Sequence, residues 1–192
     1  HKLVVERDGS EWVRGVSFTV PKGNIIGIAG VAGNGQSELV AALAGLAKAK
    51  SGQVLLGSTN VTDSSVKERS ALGLSLVPED RHRHGLVLDM SLAENLILGH
   101  ETRFSRGPGK QLLDAMQIRN VAEHVLVDAD VRPAAPFASA RSLSGGNQQK
   151  VVMSRALKLG GKPPRVLIAA QPTRGVDIGA IESIHRTLIQ AR

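Results

Sequence analysis

The run Gly30-Val31-Ala32-Gly33-Asn34-Gly35-Gln36-Ser37 constrains this chain more than any other feature. It follows an apolar stretch, Asn24–Ala29, that reads as a buried strand, and it leads into Ser37–Leu46, which reads as an Ala- and Leu-rich helix. A strand that turns into a helix through glycines points several main-chain N–H groups, and the positive end of the helix, at one place in space. That arrangement suits phosphate oxygens. Taken alone, the run is compatible with a plain strand-to-helix turn as well as with a phosphate cradle. Its spacing is that of the frame G-x-x-x-x-G-K-[ST] with one departure, because Gln36 stands at the lysine position. A lysine there carries a full charge to the phosphates, worth about 4 kcal/mol at a separation of about 4 Å and an effective dielectric of about 20. Gln36 donates a hydrogen bond and no charge. Binding through backbone amides is expected to survive, and stabilisation of a transferring phosphoryl group to be largely lost.

Around this run the chain alternates apolar strands and helices at both ends, with a mostly helical middle. Leu3–Glu6, Val16–Val20, Gln53–Leu56, Leu74–Val77 and Val166–Ala169 read as strands. Ser65–Glu68 and Ser91–Glu94 are capping boxes that open short helices, and Ser144 caps a helix running to about Leu159. Leu112–Val127 has helical spacing of apolar residues, and Ile178–Gln190 reads as a closing helix. The pattern predicts an α/β domain with a helical insert.

A second motif is more specific. Leu143-Ser144-Gly145-Gly146-Asn147-Gln148-Gln149-Lys150 resembles the signature loop of ATP-binding-cassette (ABC) proteins, in the variant typical of simple-sugar and nucleoside importers. Ser144 with the Gly145 and Gly146 amides heads a helix and can bind a phosphate offered from another subunit. The resemblance extends through Val77-Pro78-Glu79-Asp80-Arg81 and Gly85-Leu86-Val87 to Val166–Asp177, which is similar to the Walker B segment and D-loop. Glu79 falls at the Q-loop glutamine position, Ala170 at the Walker B aspartate and Gln171 at the catalytic glutamate.

The resemblance therefore implies an α/β fold: a P-loop NTPase, ABC-type nucleotide-binding domain with a small antiparallel β subdomain and an inserted helical subdomain. One domain is expected over 1–192, with a core lobe at about 1–85 and 151–192 and a helical subdomain at about 86–150. It looks like the second, degenerate cassette of the simple-sugar/nucleoside importer type. The H-loop and final strand are expected beyond Arg192, so the chain reads as C-terminally truncated. Cofactors implied are ATP and Mg²⁺, weak or absent at the chain's own site. Gly30, Gly33, Asn34, Gly35, Gln36, Ser37, Glu79, Gln148 and Asp177 are the expected nucleotide contacts, and Ser37 is a weak metal contact without an aspartate partner. Ser144, Gly145 and Gly146 are expected to act on ATP held by a partner cassette paired head to tail, with Gln171 at the degenerate catalytic position. The further partners implied are transmembrane permease subunits and, indirectly, an extracellular solute-binding protein, at the cytoplasmic face of the cell membrane. The whole transporter would be the ATPase, and this domain alone would hydrolyse little or no ATP. Glu79–Asn95 is either the docking site of a permease helix or an ordinary exposed loop.

Composition narrows the alternatives. A formal charge of +7 admits an acidic partner, and it raises a DNA-associated cassette ATPase as a rival. Such a protein is expected to show long coiled-coil heptads or paired zinc cysteines, and there is no cysteine. Aromatic residues are 2% of the chain, too few for stacking along single-stranded nucleic acid, so no nucleic-acid partner is expected. No apolar run approaches the roughly 18 residues of a membrane span, so a membrane role is expected to be peripheral. A third reading is a regulatory module that binds nucleotide without turnover. Trp12 is expected to pack in the small antiparallel sheet, and His82, Arg83 and His84 read as solvated surface.

Overall fold

A computed structural model describes residues 1–192. Strands β1 (Leu3–Arg7) and β2 (Ser10–Val16) form an antiparallel pair whose inward residues Leu3, Val5 and Val13 are buried against Leu39 and Ala42. Those last two lie on α1 (Gln36–Ala44), the helix that leaves the glycine loop. Next come the short antiparallel pair β3 (Leu55–Leu56) and β4 (Thr59–Asn60), then α2 (Val66–Ala71) and β5 (Leu74–Val77). One π-helical turn, Arg81–Gly85, leads to α3 (Leu92–Ile97). A small hairpin, β6 (Ser105–Arg106) with β7 (Leu112–Leu113), precedes α4 (Ala115–Asp128). Helix α5 (Gly145–Lys158), strand β8 (Val166–Ala169) and helix α6 (Ile178–Gln190) complete the chain.

The main core is aliphatic, as a chain so poor in aromatics requires. Leu92, Leu96 and Ile97 of α3, Ala122 and Leu126 of α4, and Val151, Val152 and Met153 of α5 bury one another. Each fully buried Leu or Val contributes roughly 1.5–3 kcal/mol. Helix α5 passes through residue 150 without a break, so the helical layer and the sheet share it. Strands β5 and β8 pair in parallel, Leu74 opposite Val166 through Val77 opposite Ala169. Parallel pairing brings the carboxyl ends of both strands to one edge, where ligands of open α/β sheets bind.

Both predicted capping boxes are present: Ser65 and Ser91 each accept from the backbone of the glutamate three residues on and receive its side chain in return. Four expectations need correction. Asn24–Ala29 is not a buried strand: Ile25, Ile26 and Ile28 are 58%, 44% and 54% exposed, and no ladder includes them. A strand is defined by its neighbours' hydrogen bonds, and no strand pairs with this segment. Strand β2 ends at Val16, so Val16–Val20 is not a strand, and the strand expected over Gln53–Leu56 shortens to its last two residues. Leu112–Val127 is not one helix, because Asp114 accepts from Gln117 N and starts α4 while Leu112 and Leu113 pair with β6.

Arg69 is 1% exposed, and four main-chain carbonyls surround its guanidinium. Its Nη1 donates to Ala42 O at 2.6 Å and Leu43 O at 2.7 Å, Nη2 to Thr62 O at 2.7 Å, and Nε to Ser64 O at 3.0 Å. A cation thus closes the negative end of α1 and ties the loop-bearing helix to residues 62–64. Replacing it by Met leaves those carbonyls unpaired. Arg69→Met is expected to lower the unfolding free energy by about 2–4 kcal/mol in a denaturant titration, and an unchanged midpoint would contradict this role.

Candidate functional site

The glycine loop lies between β2 and α1. Gly33 and Gly35 have φ of +86° and +90°, the left-handed backbone that turns the chain into the helix. Gly35 also abuts β2, since a Cβ there would lie 2.3 Å from Trp12 O. Trp12 belongs to the antiparallel pair as expected, with its side chain half-exposed. The Gln36 side chain folds back over the loop. Its Nε2 donates to Val31 O at 3.2 Å and occupies the space where a Cβ on Gly30 would stand. The amide therefore satisfies the loop's own backbone, and no charge is added to it.

Glu79, just beyond β5, is the centre of the polar cluster beside this loop. Its Oε2 accepts from Ser37 Oγ at 3.1 Å, and its Oε1 accepts from Gln171 Nε2 at 2.9 Å and Arg174 Nη1 at 2.7 Å. Four segments meet there: the first turn of α1, the end of β5, the end of β8 and the turn that follows it. Gln171 reaches Glu79 from a left-handed backbone, φ +44°, a conformation that costs a non-glycine residue roughly 1 kcal/mol. Ala170 contributes no oxygen.

Ser37 has no aspartate partner, as expected, but its hydroxyl is paired with the carboxylate of Glu79. In an octahedral Mg²⁺ shell with bonds of about 2.0–2.1 Å, neighbouring oxygens are about 2.9 Å apart. The 3.1 Å between Ser37 Oγ and Glu79 Oε2 fits two such positions.

The signature residues lie at another place. Ser144 is exposed and caps α5, accepting from Asn147 N at 3.4 Å. Gly145 and Gly146 occupy the first turn of that helix, directly against their own chain. A Cβ on Gly145 would lie 2.7 Å from Arg81 Nη2 and 2.9 Å from Gly175 O, and one on Gly146 would lie 2.8 Å from Ala180 Cβ. The requirement for glycine here is therefore met inside the chain before any phosphate arrives. Asp177 caps α6 by accepting from Ala180 N at 2.9 Å, beside Gly146. Gln148 is 5% exposed and turned into the protein: Oε1 faces Arg81 Nε and His82 Nε2, and Nε2 donates to Ala140 O. No ligand is needed to satisfy it. Arg81 and His82 had no predicted role at this place; His82, Arg83 and His84 are exposed as expected, and His82 also reaches Gln148.

Comparison with known proteins agrees with these motifs. Residues 13–174 match the sequence model of the family described as ABC transporter. The chain is 45% identical to the nucleoside import ATP-binding protein NupA of Lactococcus lactis subsp. cremoris over 98% of its own length and 37% of that protein's. It is 41% identical to the guanosine import ATP-binding protein NupO of Bacillus subtilis, over 98% of the chain and 36% of the relative. With the ribose import ATP-binding protein RbsA of Chromobacterium violaceum the identity is 35%, over 98% and 37%. The chain spans a little over a third of the length of these curated relatives. A nucleotide-free ATP-binding cassette from an ABC transporter shares the fold, with a TM-score of 0.80 at 22% identity, covering 98% of this chain and 74% of that one. So does a dimeric cassette bound to ADP and Pi, with a TM-score of 0.77 at 23% identity over 97% and 79%.

Proposed function

The chain belongs to the ABC transporter family, and on that premise we propose that it is an ATP-binding domain of a nucleoside or simple-sugar importer whose signature loop completes a partner cassette's ATP site. The observation that carries this reading is the contrast between its two phosphate-facing elements. Ser144 stands exposed at the head of a 14-residue helix, whereas the chain's own loop is covered by an uncharged Gln36. Three components of phosphoryl transfer are missing from that loop's surroundings: the lysine charge, the Walker B carboxylate at 170 and a general base at 171. Nucleoside and sugar importers among the relatives supply the substrate class.

The site retains parts that bind. The amides of Gly33–Ser37 and the positive end of α1 attract an anion, and Ser37 and Glu79 would hold Mg²⁺. When bound, that ion would supply positive charge to offset that of the phosphates. Arg174 holds the other carboxylate oxygen, Glu79 Oε1, and so offsets part of the negative charge that a metal at Oε2 would meet. Anion binding at this loop is expected to be weak. Millimolar phosphate or nucleotide should move the amide resonances of residues 33–37; sub-micromolar ATP affinity would contradict this, as would an unmoved spectrum.

Permease docking is proposed at the groove of about 350 Å³ lined by Arg83, Gly85, Leu86, Val87, Leu98 and Arg155. No helix is long and apolar enough to cross a membrane; in this reading the domain sits at the cytoplasmic face against transmembrane permease subunits, which an extracellular solute-binding protein serves. The direct test of the pairing is photolabelling by an azido-ATP analogue in the vanadate-trapped transporter. Label is expected on the partner cassette's phosphate loop with a contact at Ser144–Gly146 of this chain. Trapped label centred on Gly30–Ser37 instead would overturn the assignment.

A further inference from the structure

Arg81 joins the signature helix to the turn after β8. Its Nη1 donates to Arg174 O at 2.8 Å, its Nη2 to Gly175 O at 3.0 Å, and its Nε to Gln148 Oε1 at 3.3 Å. Gln148 is anchored in turn by His82 Nε2 at 2.8 Å and by Ala140 O at 3.1 Å. No carboxylate forms an ion pair with Arg81; all its acceptors are neutral. The turn that carries Arg81 is itself fixed, because Asp80 Oδ1 accepts from His82 N at 2.9 Å and Arg83 N at 3.1 Å. Hydrogen bonding to those amides holds the Asp80 carboxyl below the usual carboxylate range. On the opposite side Gly145 lies against the guanidinium so closely that a Cβ would meet Nη2 at 2.7 Å.

We propose that Arg81 is a positioning residue for the signature loop: its guanidinium locks the first turn of α5 to the Arg174–Gly175 turn, so that Ser144–Gly146 meets a phosphate in one fixed orientation. This rests on the reading that the loop serves a partner's ATP. Oriented amides act on developing charge only while they stay aimed, and a displacement of about 1 Å can cost about 10²-fold in rate. The fork geometry matters more than the charge. A lysine keeps the charge but presents a single point that cannot span two carbonyls and a glutamine oxygen together.

The test uses the assembled transporter containing this chain, with ATP hydrolysis followed against ATP concentration for wild type, Arg81→Lys, Arg81→Met and Gly145→Asp. Both Arg81 variants are expected to lose about tenfold or more in kcat, with the KM for ATP within about twofold. Hydrogen exchange should quicken in peptides covering 142–149 and 173–177 and stay unchanged in α3 and α4. If Arg81→Met does not assemble, Arg81→Lys carries the test alone. A wild-type kcat in Arg81→Lys overturns the positioning role, provided that Gly145→Asp inactivates the same transporter. Full activity of Gly145→Asp overturns the underlying reading of the signature loop instead.

Discussion

Purified chain is expected to turn over magnesium ATP at or near the uncatalysed rate, and Gln36→Lys alone is not expected to rescue it. The lost lysine charge is nominally worth about 4 kcal/mol, or roughly a thousandfold in rate. A positioned general base is typically worth a further 10²–10⁴-fold, and Gln171 has no basic oxygen to offer an attacking water. Its amide is instead committed to Glu79 at 2.9 Å. Ala170 removes a carboxylate as well, although the Ser37–Glu79 pair leaves two oxygens for a metal. A lysine in place of Gln36 would thus restore one component of three. Steady-state turnover comparable to an intact cassette, in either the native chain or Gln36→Lys, would contradict this account.

Local signals were legible in the sequence where the physics is local. Ser65, Ser91 and Ser144 each cap a helix at the predicted residue, and the apolar strands 74–77 and 166–169 fall where their composition places them. Asn24–Ala29 is also largely apolar and is not a strand, because pairing depends on neighbours that no window of sequence contains. Leu112 and Leu113 fit the helical period of α4, yet Asp114 competes as a cap and hands them to a hairpin.

The site divides along the same line. The glycine loop and the signature are contiguous strings and could be read directly. The Glu79 cluster joins residues 42, 92 and 95 positions apart, so the pairing of Ser37 with a glutamate was not legible in the sequence. Arg81 lies 67 positions from Gln148 and 94 from Gly175; the parallel pairing of β5 with β8 brings Gly175 to it, and the packing of α5 against the Arg81–Gly85 turn brings Gln148. For Gly145 the sequence suggested a close approach to phosphate; the structure adds a closer one, to Arg81 and Gly175 O.

The division of labour between the two phosphate-facing elements is tested most directly by comparing Gly145→Asp with Gln36→Ala in the intact transporter. Gly145→Asp places a carboxylate at the head of α5, where an anion is to bind, and forces its Cβ into the Arg81 guanidinium and the Gly175 carbonyl. Repulsion and misplacement act in the same direction. Loss of a single oriented donor to a developing negative charge already costs about 10²–10³-fold, so transport-coupled ATP hydrolysis is expected to fall at least about 10²-fold. Gln36→Ala removes a neutral amide bonded to the loop's own Val31 carbonyl, and activity is expected to stay within about threefold of wild type. A transporter in which Gln36→Ala proves more damaging than Gly145→Asp would contradict the central claim.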